Sequence, residues 1–275
     1  MTTPTLELTE TRDWNIGAVD LDAYLERIGH PLVAPAAEAL RSLHEAHIRA
    51  IPFENLDVVL GKHPGLDLGV VADKLVHRRR GGYCYEHGLL FAAVLERLGY
   101  TVHRRMARVQ PHRSGLRTHM TLAVHAEGTD YLTDVGFGAG MMYPMPLRDG
   151  AEVDQAGWPH RIVRQGNLWA LTKRNGDEWE VLHVSDESPQ RPVDYEVAHH
   201  YVSTHPRSPF TGQLVVMRLD HGVNRRLVGD ELTVEWASGR TERTRVLPER
   251  LAGTLRDLDL EPEPEDLAGL RAHLS

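Results

Sequence analysis

Among 275 residues the chain has one cysteine, Cys84. Its thiol is the side chain best suited to covalent chemistry, because a thiolate is a potent nucleophile. Free cysteine is also among the residue types most often buried as a small hydrophobe, so the setting must decide between the two roles. Gly81 and Gly82 lack side chains just upstream, which leaves room for a substrate to reach the sulfur. Cys84 stands at the start of a predicted helix, where unpaired N–H groups and the helix dipole favour an anion. Arg78, Arg79 and Arg80 add positive charge nearby in sequence, although most arginines in such a run are simply solvated.

A thiolate nucleophile needs an imidazole partner, and the imidazole needs a group to orient it. With 17 histidines, counting alone leaves the partner open. Residues 118–124 alternate like a strand and carry His119, and a second strand, 131–137, carries Asp134. A four-residue hairpin loop pairing Ala126 with Tyr131 puts Asp134 opposite Ala123 and His119 opposite Gly138. The two side chains then share a sheet face but stand about four residues apart, ~13 Å in a flat sheet. Contact requires a bulge or an irregular strand end, for which Gly136 and Gly138 are the candidate places.

The elements that must position these groups change character at residue 100. Before it, apolar residues recur at helical spacing over 19–28, 36–51, 70–76 and 85–98, with Gly29, Pro52 and Gly99 as stops. After it the period becomes two. Strands are predicted over 102–109, 119–126, 131–137, 161–164, 168–173 and 179–184, then a helix over 194–204. Strands over 214–219, 225–228, 231–236 and 240–246 and a terminal helix over 266–274 complete the chain. Helices, then strands, then a mixed end imply an α+β fold: an N-terminal helical bundle (1–98), a central antiparallel β-barrel (99–204) and a C-terminal α/β unit (205–275).

Composition excludes several classes. With 41% hydrophobic and 25% charged residues the chain reads as a globular protein, and a net charge of −8 disfavours nucleic acid as a partner. One cysteine cannot form an intramolecular disulfide and argues against a Cys-based metal site, so no metal is expected. The polar, acidic first residues do not resemble a signal peptide, and no run approaches the roughly 18 apolar residues of a membrane helix. A cytoplasmic protein is expected, with oligomerisation open.

Several ordered blocks resemble one family. They are Pro52-Phe53-Glu54-Asn55-Leu56, Arg80-Gly81-Gly82-Tyr83-Cys84-Tyr85-Glu86, Thr118-His119, Asp134-Val135-Gly136-Phe137-Gly138 and Ser203-Thr204-His205-Pro206-Arg207-Ser208-Pro209-Phe210. In order and spacing they are similar to the arylamine N-acetyltransferases, of actinobacterial type. The resemblance implies a Cys–His–Asp core like that of cysteine proteases, on Cys84, His119 and Asp134. It implies ping-pong transfer of acetyl from acetyl-CoA to arylamines, arylhydroxylamines or hydrazines. It implies that the C-terminal unit acts as a lid, and that CoA lies between barrel and lid near Gly115, Phe137, Tyr201 and Ser208. By the same analogy Thr118 neighbours the acceptor.

A ring-binding pocket is expected from Phe53, Phe137 and Phe210, and Arg207, Arg225 and Arg226 are candidates to steer anionic CoA. The family usually has Asn where this chain has Gly88, which implies loss of a structural side-chain hydrogen bond. It leaves a related alternative, an amide synthase acting on a carrier-bound polyketide chain. A fold-retaining binding module and a cysteine hydrolase are further options.

Overall fold

The first long helix begins where Asp20 accepts the Ala23 N–H at 3.0 Å, and it ends at Gly29 in a left-handed conformation. A computed structural model describes residues 14–274 apart from 114 and 139. The reading of the N-terminal peptide as leaderless therefore lies outside the described residues for positions 1–13.

The N-terminal part contains α1 (Leu21–Ile28), α2 (Ala37–Ala50), β1 (Phe53–Glu54), α3 (Leu56–Val59), α4 (Leu68–Ala72) and α5 (Cys84–Arg97). Between α4 and Arg78 the chain continues as a π-helical turn, Asp73–His77. Helix α5 was expected to bury one stripe. Instead every residue from Cys84 to Leu95 is buried, because helices and both sheets surround it. Cys84 thus stands at the start of a helix buried on all sides over its first three turns.

Strands β2 (Thr101–Val109), β3 (Arg117–Ala126), β4 (Thr129–Thr133), β5 (Met145–Pro146), β6 (Glu152–Asp154), β7 (Pro159–Gln165), β8 (Leu168–Asn175) and β9 (Glu178–Ser185) form one antiparallel sheet. Its order is β5-β4-β3-β2-β9-β8-β7-β6. The two end strands do not pair with each other, so the sheet is barrel-like rather than closed.

After α6 (Pro192–Thr204) come β10 (Val215–Asp220), β11 (Val223–Val228), β12 (Glu231–Trp236), β13 (Thr241–Arg245), α7 (Leu251–Arg256) and α8 (Pro264–Leu274). The second sheet runs β1-β10-β11-β12-β13, so its first strand comes from residues 53–54. Leu56 likewise packs in one apolar cluster with Leu214, Val216, Leu227 and Leu255. The C-terminal unit is thereby hydrogen-bonded and packed into the N-terminal one, a connection that division by element type alone does not reveal.

The hairpin between β3 and β4 departs from the expected loop. Glu127 and Gly128, at φ 48° and 77°, make a two-residue turn that pairs Ala126 with Thr129. Register moves by two residues relative to a four-residue loop, which preserves parity. Continuing the register puts Asp134 opposite Thr121, two residues from His119 instead of four. Strand β4 ends at Thr133, not at 137, and Asp134 opens an irregular segment.

Candidate active site

Tyr83 caps α5, and its N–H donates to Glu86 Oε2 at 3.0 Å. The first bond of the helix is His87 N–H to Tyr83 O, so the amides of Cys84, Tyr85 and Glu86 have no intrahelical partner. Glu86 belongs to a buried ion network that pins the approach to the helix. Lys74 Nζ lies 2.7 Å from Asp57 and 2.8 Å from Glu86, and Arg80 lies 2.7 Å from Glu54. Burial opposes the charge on Glu86, but Lys74 and His63 outweigh it and hold the carboxyl at about 2.

This network corrects the expected role of the arginines. Arg80 is buried and committed to Glu54 and Asp57, while Arg78 and Arg79 are exposed. The positive end of α5 is therefore supplied by backbone amides. The glycines are corrected too. A Cβ on Gly81 falls 2.2 Å from Pro52 O, and one on Gly82 falls 2.7 Å from Glu86 Oε2. Their missing side chains let this segment pack against the protein; they do not open a path for substrate.

Two bulges shape the opposite wall. Across β2 and β3 the register jumps from Ala107↔His119 to Arg108↔Arg117, leaving Thr118 as the extra residue. Its carbonyl accepts from Tyr85 Oη at 2.6 Å, and Cys84 Sγ stands 4.0 Å away. Across β8 and β9 the extra residue is Leu182, next to His183.

His119 Nε2 and Asp134 Oδ2 are 2.7 Å apart, both buried. That bond leaves Nδ1 as the ring nitrogen for the hydrogen bond between His119 and Cys84. Burial would lower the basicity of His119, but the Asp134 carboxylate and then Cys84 outweigh it and hold the imidazolium at about 10. Burial likewise opposes the Asp134 charge, yet His119 and then His183 keep it ionised far below the usual carboxylate range. The segment after Asp134 lies directly on the nucleophile, since a Cβ at Gly136 falls 2.7 Å from Cys84 O.

His183 was not anticipated. Its Nε2 approaches Asp134 Oδ2 at 3.2 Å, longer and less well aligned than the bond from His119. Burial lowers its pKa and favours the neutral ring. No spacing marks it among 17 histidines; a fold-dependent bulge places it. Donor atoms of His119, Asp134 and His183 lie within 4.8 Å of one another, the cluster a metal ion could use. Two ligands of a tetrahedral zinc stand about 3.3 Å apart, given bonds of ~2.0–2.1 Å. The 2.7 Å His119–Asp134 contact is instead that of a shared proton.

Cys84 is 4% exposed and sits at the end of a cavity of about 410 Å³. His119 and Thr118 line it beside the sulfur, and Phe53, Phe137 and Phe210 line its apolar part. Tyr201 and Ser208 line the C-terminal side, where the Ser208 hydroxyl already donates to Val202 O. Asp134 and Gly115 are not part of the lining; Gly115 sits behind Val109, whose carbonyl is 2.6 Å from where a Cβ would be. Of the three steering arginines only Arg226 lines the cavity, with Lys173 and Glu235. A larger groove of about 730 Å³ near Trp14 lies away from this site, and its Arg104 is paired to Glu96.

Gly88 has a local explanation. A Cβ there would fall 2.8 Å from Met120 Sδ, so the methionine occupies the space a larger residue needs.

A family model described as N-acetyltransferase matches residues 37–258. The chain is 41% identical over 239 residues to an arylamine N-acetyltransferase of Mycolicibacterium smegmatis, covering 83% of this chain and 86% of that one. The structure of the arylamine N-acetyltransferase from Mycobacterium abscessus superposes with a TM-score of 0.91 at 34% identity, covering 97% and 98% of the two chains. That of Mycobacterium marinum in complex with CoA superposes with a TM-score of 0.83 at 35% identity, covering 93% and 98%. Fold and matches together define an acyltransferase. Within that class the chain belongs to the arylamine N-acetyltransferase family. The amide-synthase alternative finds no support among these relatives.

Proposed function

We propose that the protein transfers acetyl from acetyl-CoA to an arylamine, arylhydroxylamine or hydrazine through acetyl-Cys84. The observation that carries this is the 2.7 Å His119–Asp134 bond beside the only cysteine, at the end of an aromatic cavity. His119, hydrogen-bonded to Cys84 and held at about 10 by Asp134, takes the thiol proton as the sulfur becomes the nucleophile. The sulfur attacks the acetyl carbonyl, and the amides that open α5 face the oxyanion. The C–S bond to CoA breaks, and the leaving thiolate takes the proton from His119. The acceptor nitrogen then attacks acetyl-Cys84 and gives its proton to His119, while Cys84 leaves as thiolate and the pair is restored.

An arylamine suits the second step because its nitrogen is unprotonated at neutral pH. Its ring fits between Phe53, Phe137 and Phe210, near Thr118. CoA enters along Tyr201, Ser208 and Phe137, with Lys173 and Arg226 toward its phosphates and Gly115 behind the wall. The CoA complex of the Mycobacterium marinum relative supports that co-substrate. No metal takes part in this reading. We assign residues 1–98, 99–204 and 205–275 as helical, barrel and lid units of a cytoplasmic enzyme. Among the described residues no helix is long and apolar enough to cross a membrane.

Intact-protein mass spectrometry with acetyl-CoA alone tests the reading. The expected result is one added acetyl group, absent in Cys84→Ala and removed by an added arylamine. An unmodified wild-type mass would refute the covalent route.

A further inference from the structure

We propose that His44, far from Cys84 in sequence and outside the substrate cavity, is the positioning residue that holds Asp134 in line with His119. The inference rests on the Cys84–His119–Asp134 reading. Strand β4 ends at Thr133, so the Asp134 amide has left the ladder while still buried. A buried N–H requires an acceptor. His44 Nε2 supplies it at 3.2 Å, and His44 Nδ1 lies 2.9 Å from Met142 O.

These two partners settle the tautomer. A carbonyl only accepts, so Nδ1 carries the hydrogen. A backbone N–H only donates, so Nε2 must offer its lone pair. The ring is 0% exposed and stands edge-on to Phe91 of α5, with centroids 5.9 Å apart. Burial holds its pKa at about 4, which keeps the ring neutral and this bonding pattern intact at working pH.

One imidazole thus ties both ends of the segment from Asp134 to Met142. That segment includes Gly136, packed on the Cys84 backbone, and Phe137, in the cavity wall. Without the tie, the Asp134 amide is an orphan and the carboxylate loses its fixed origin. His44 does not line the cavity, so it acts through the segment that it ties, chiefly through Asp134.

Alkylation of Cys84 by iodoacetamide across pH tests this without acetyl-CoA or amine, and steady-state acetylation supplies kcat and KM. With folding checked by circular dichroism, His44→Leu should move the acidic limb of alkylation to higher pH, because His119 loses the carboxylate that raises it. It should lower kcat at least about ten-fold with KM for acetyl-CoA within about two-fold. His44→Gln, whose amide oxygen and nitrogen are spaced like the two ring nitrogens, should restore the limb and most of kcat. If His44→Leu does not fold, His44→Asn takes its place, being too short to reach both partners. Asp134→Asn is the control. If it moves the limb and the folded His44 variant does not, the assignment of His44 is overturned and the triad stands. If neither moves it, the triad reading falls and this inference with it.

Discussion

Lowering the pH from 7 to 5 should destabilise the fold through histidines buried in neutral form. His44, His87 and His160 are nearly inaccessible, and burial lowers each from 6.5 to about 4. The unfolded chain binds these protons near pH 6.5 and the folded one does not, so stability falls as pH drops through that value. Between pH 7 and 5 each contributes a loss of about 2 kcal/mol, roughly 5 kcal/mol together. His47 adds in the same direction. Its Nε2 donates to His87 Nδ1 at 2.8 Å and its Nδ1 accepts from Tyr24 at 2.7 Å, an order fixed by His87 Nε2 donating to Pro52 O. A second proton on either ring breaks that order.

His119 acts oppositely. Its folded pKa is raised to about 10, so its stabilisation is complete below 6.5 and is lost as pH rises toward 10. From pH 7 to 5 it regains under about 1 kcal/mol. Asp57, Glu86 and Asp134 have lowered pKa values and stay ionised in the folded state, while their unfolded carboxyls bind few protons by pH 5, so they add only about 0.2 kcal/mol to the loss. The net loss is a large share of a typical folding stability. It corresponds to a Tm drop on the order of 10 °C for a chain of this size. Scanning calorimetry at pH 7 and 5 reads it directly, and His160→Leu should remove about a third of the drop. A Tm that stays level or rises at pH 5 would refute the reasoning.

The remaining predictions concern packing around the nucleophile. Gly136→Ala places a methyl 2.7 Å from Cys84 O and 2.8 Å from its Cα. It should cost about 1–3 kcal/mol by thermal melt and lower kcat more than it raises KM, because the Asp134 segment must lift off α5. Lys74→Met removes the cation shared by Asp57 and Glu86, leaving buried Asp57 only Arg80 and buried Glu86 only His63. It should cost about 3–5 kcal/mol in denaturant unfolding, and an unchanged midpoint would contradict the network.

Much of the candidate site was legible because residue type and strand parity are local features. The lone cysteine at a helix start, and His119 and Asp134 on one face of a hairpin, follow from local patterns. Parity survives a two-residue error in loop length, so the shared face held while the distance did not. The segment 131–137 continued to look like a strand because its residues are apolar and branched, but the chain leaves the sheet at Thr133 to pass over Cys84. The arginine run illustrates the other limit. Charge near in sequence says nothing about its partners, and Arg80 turns away to Glu54, 26 residues earlier.

By itself the sequence determined the α+β order, a lone cysteine at a helix start, and the aromatic residues of the cavity wall. These rest on local periodicity, capping and residue chemistry, which are carried by short stretches of chain. Only the tertiary structure decided that His183 meets Asp134 from β9, that His44 takes the Asp134 amide, and that β1 joins the C-terminal sheet. Each of these contacts joins residues 49 to 164 positions apart. They exist because buried polar groups and strand edges must find partners wherever packing brings them, and no local pattern encodes that meeting.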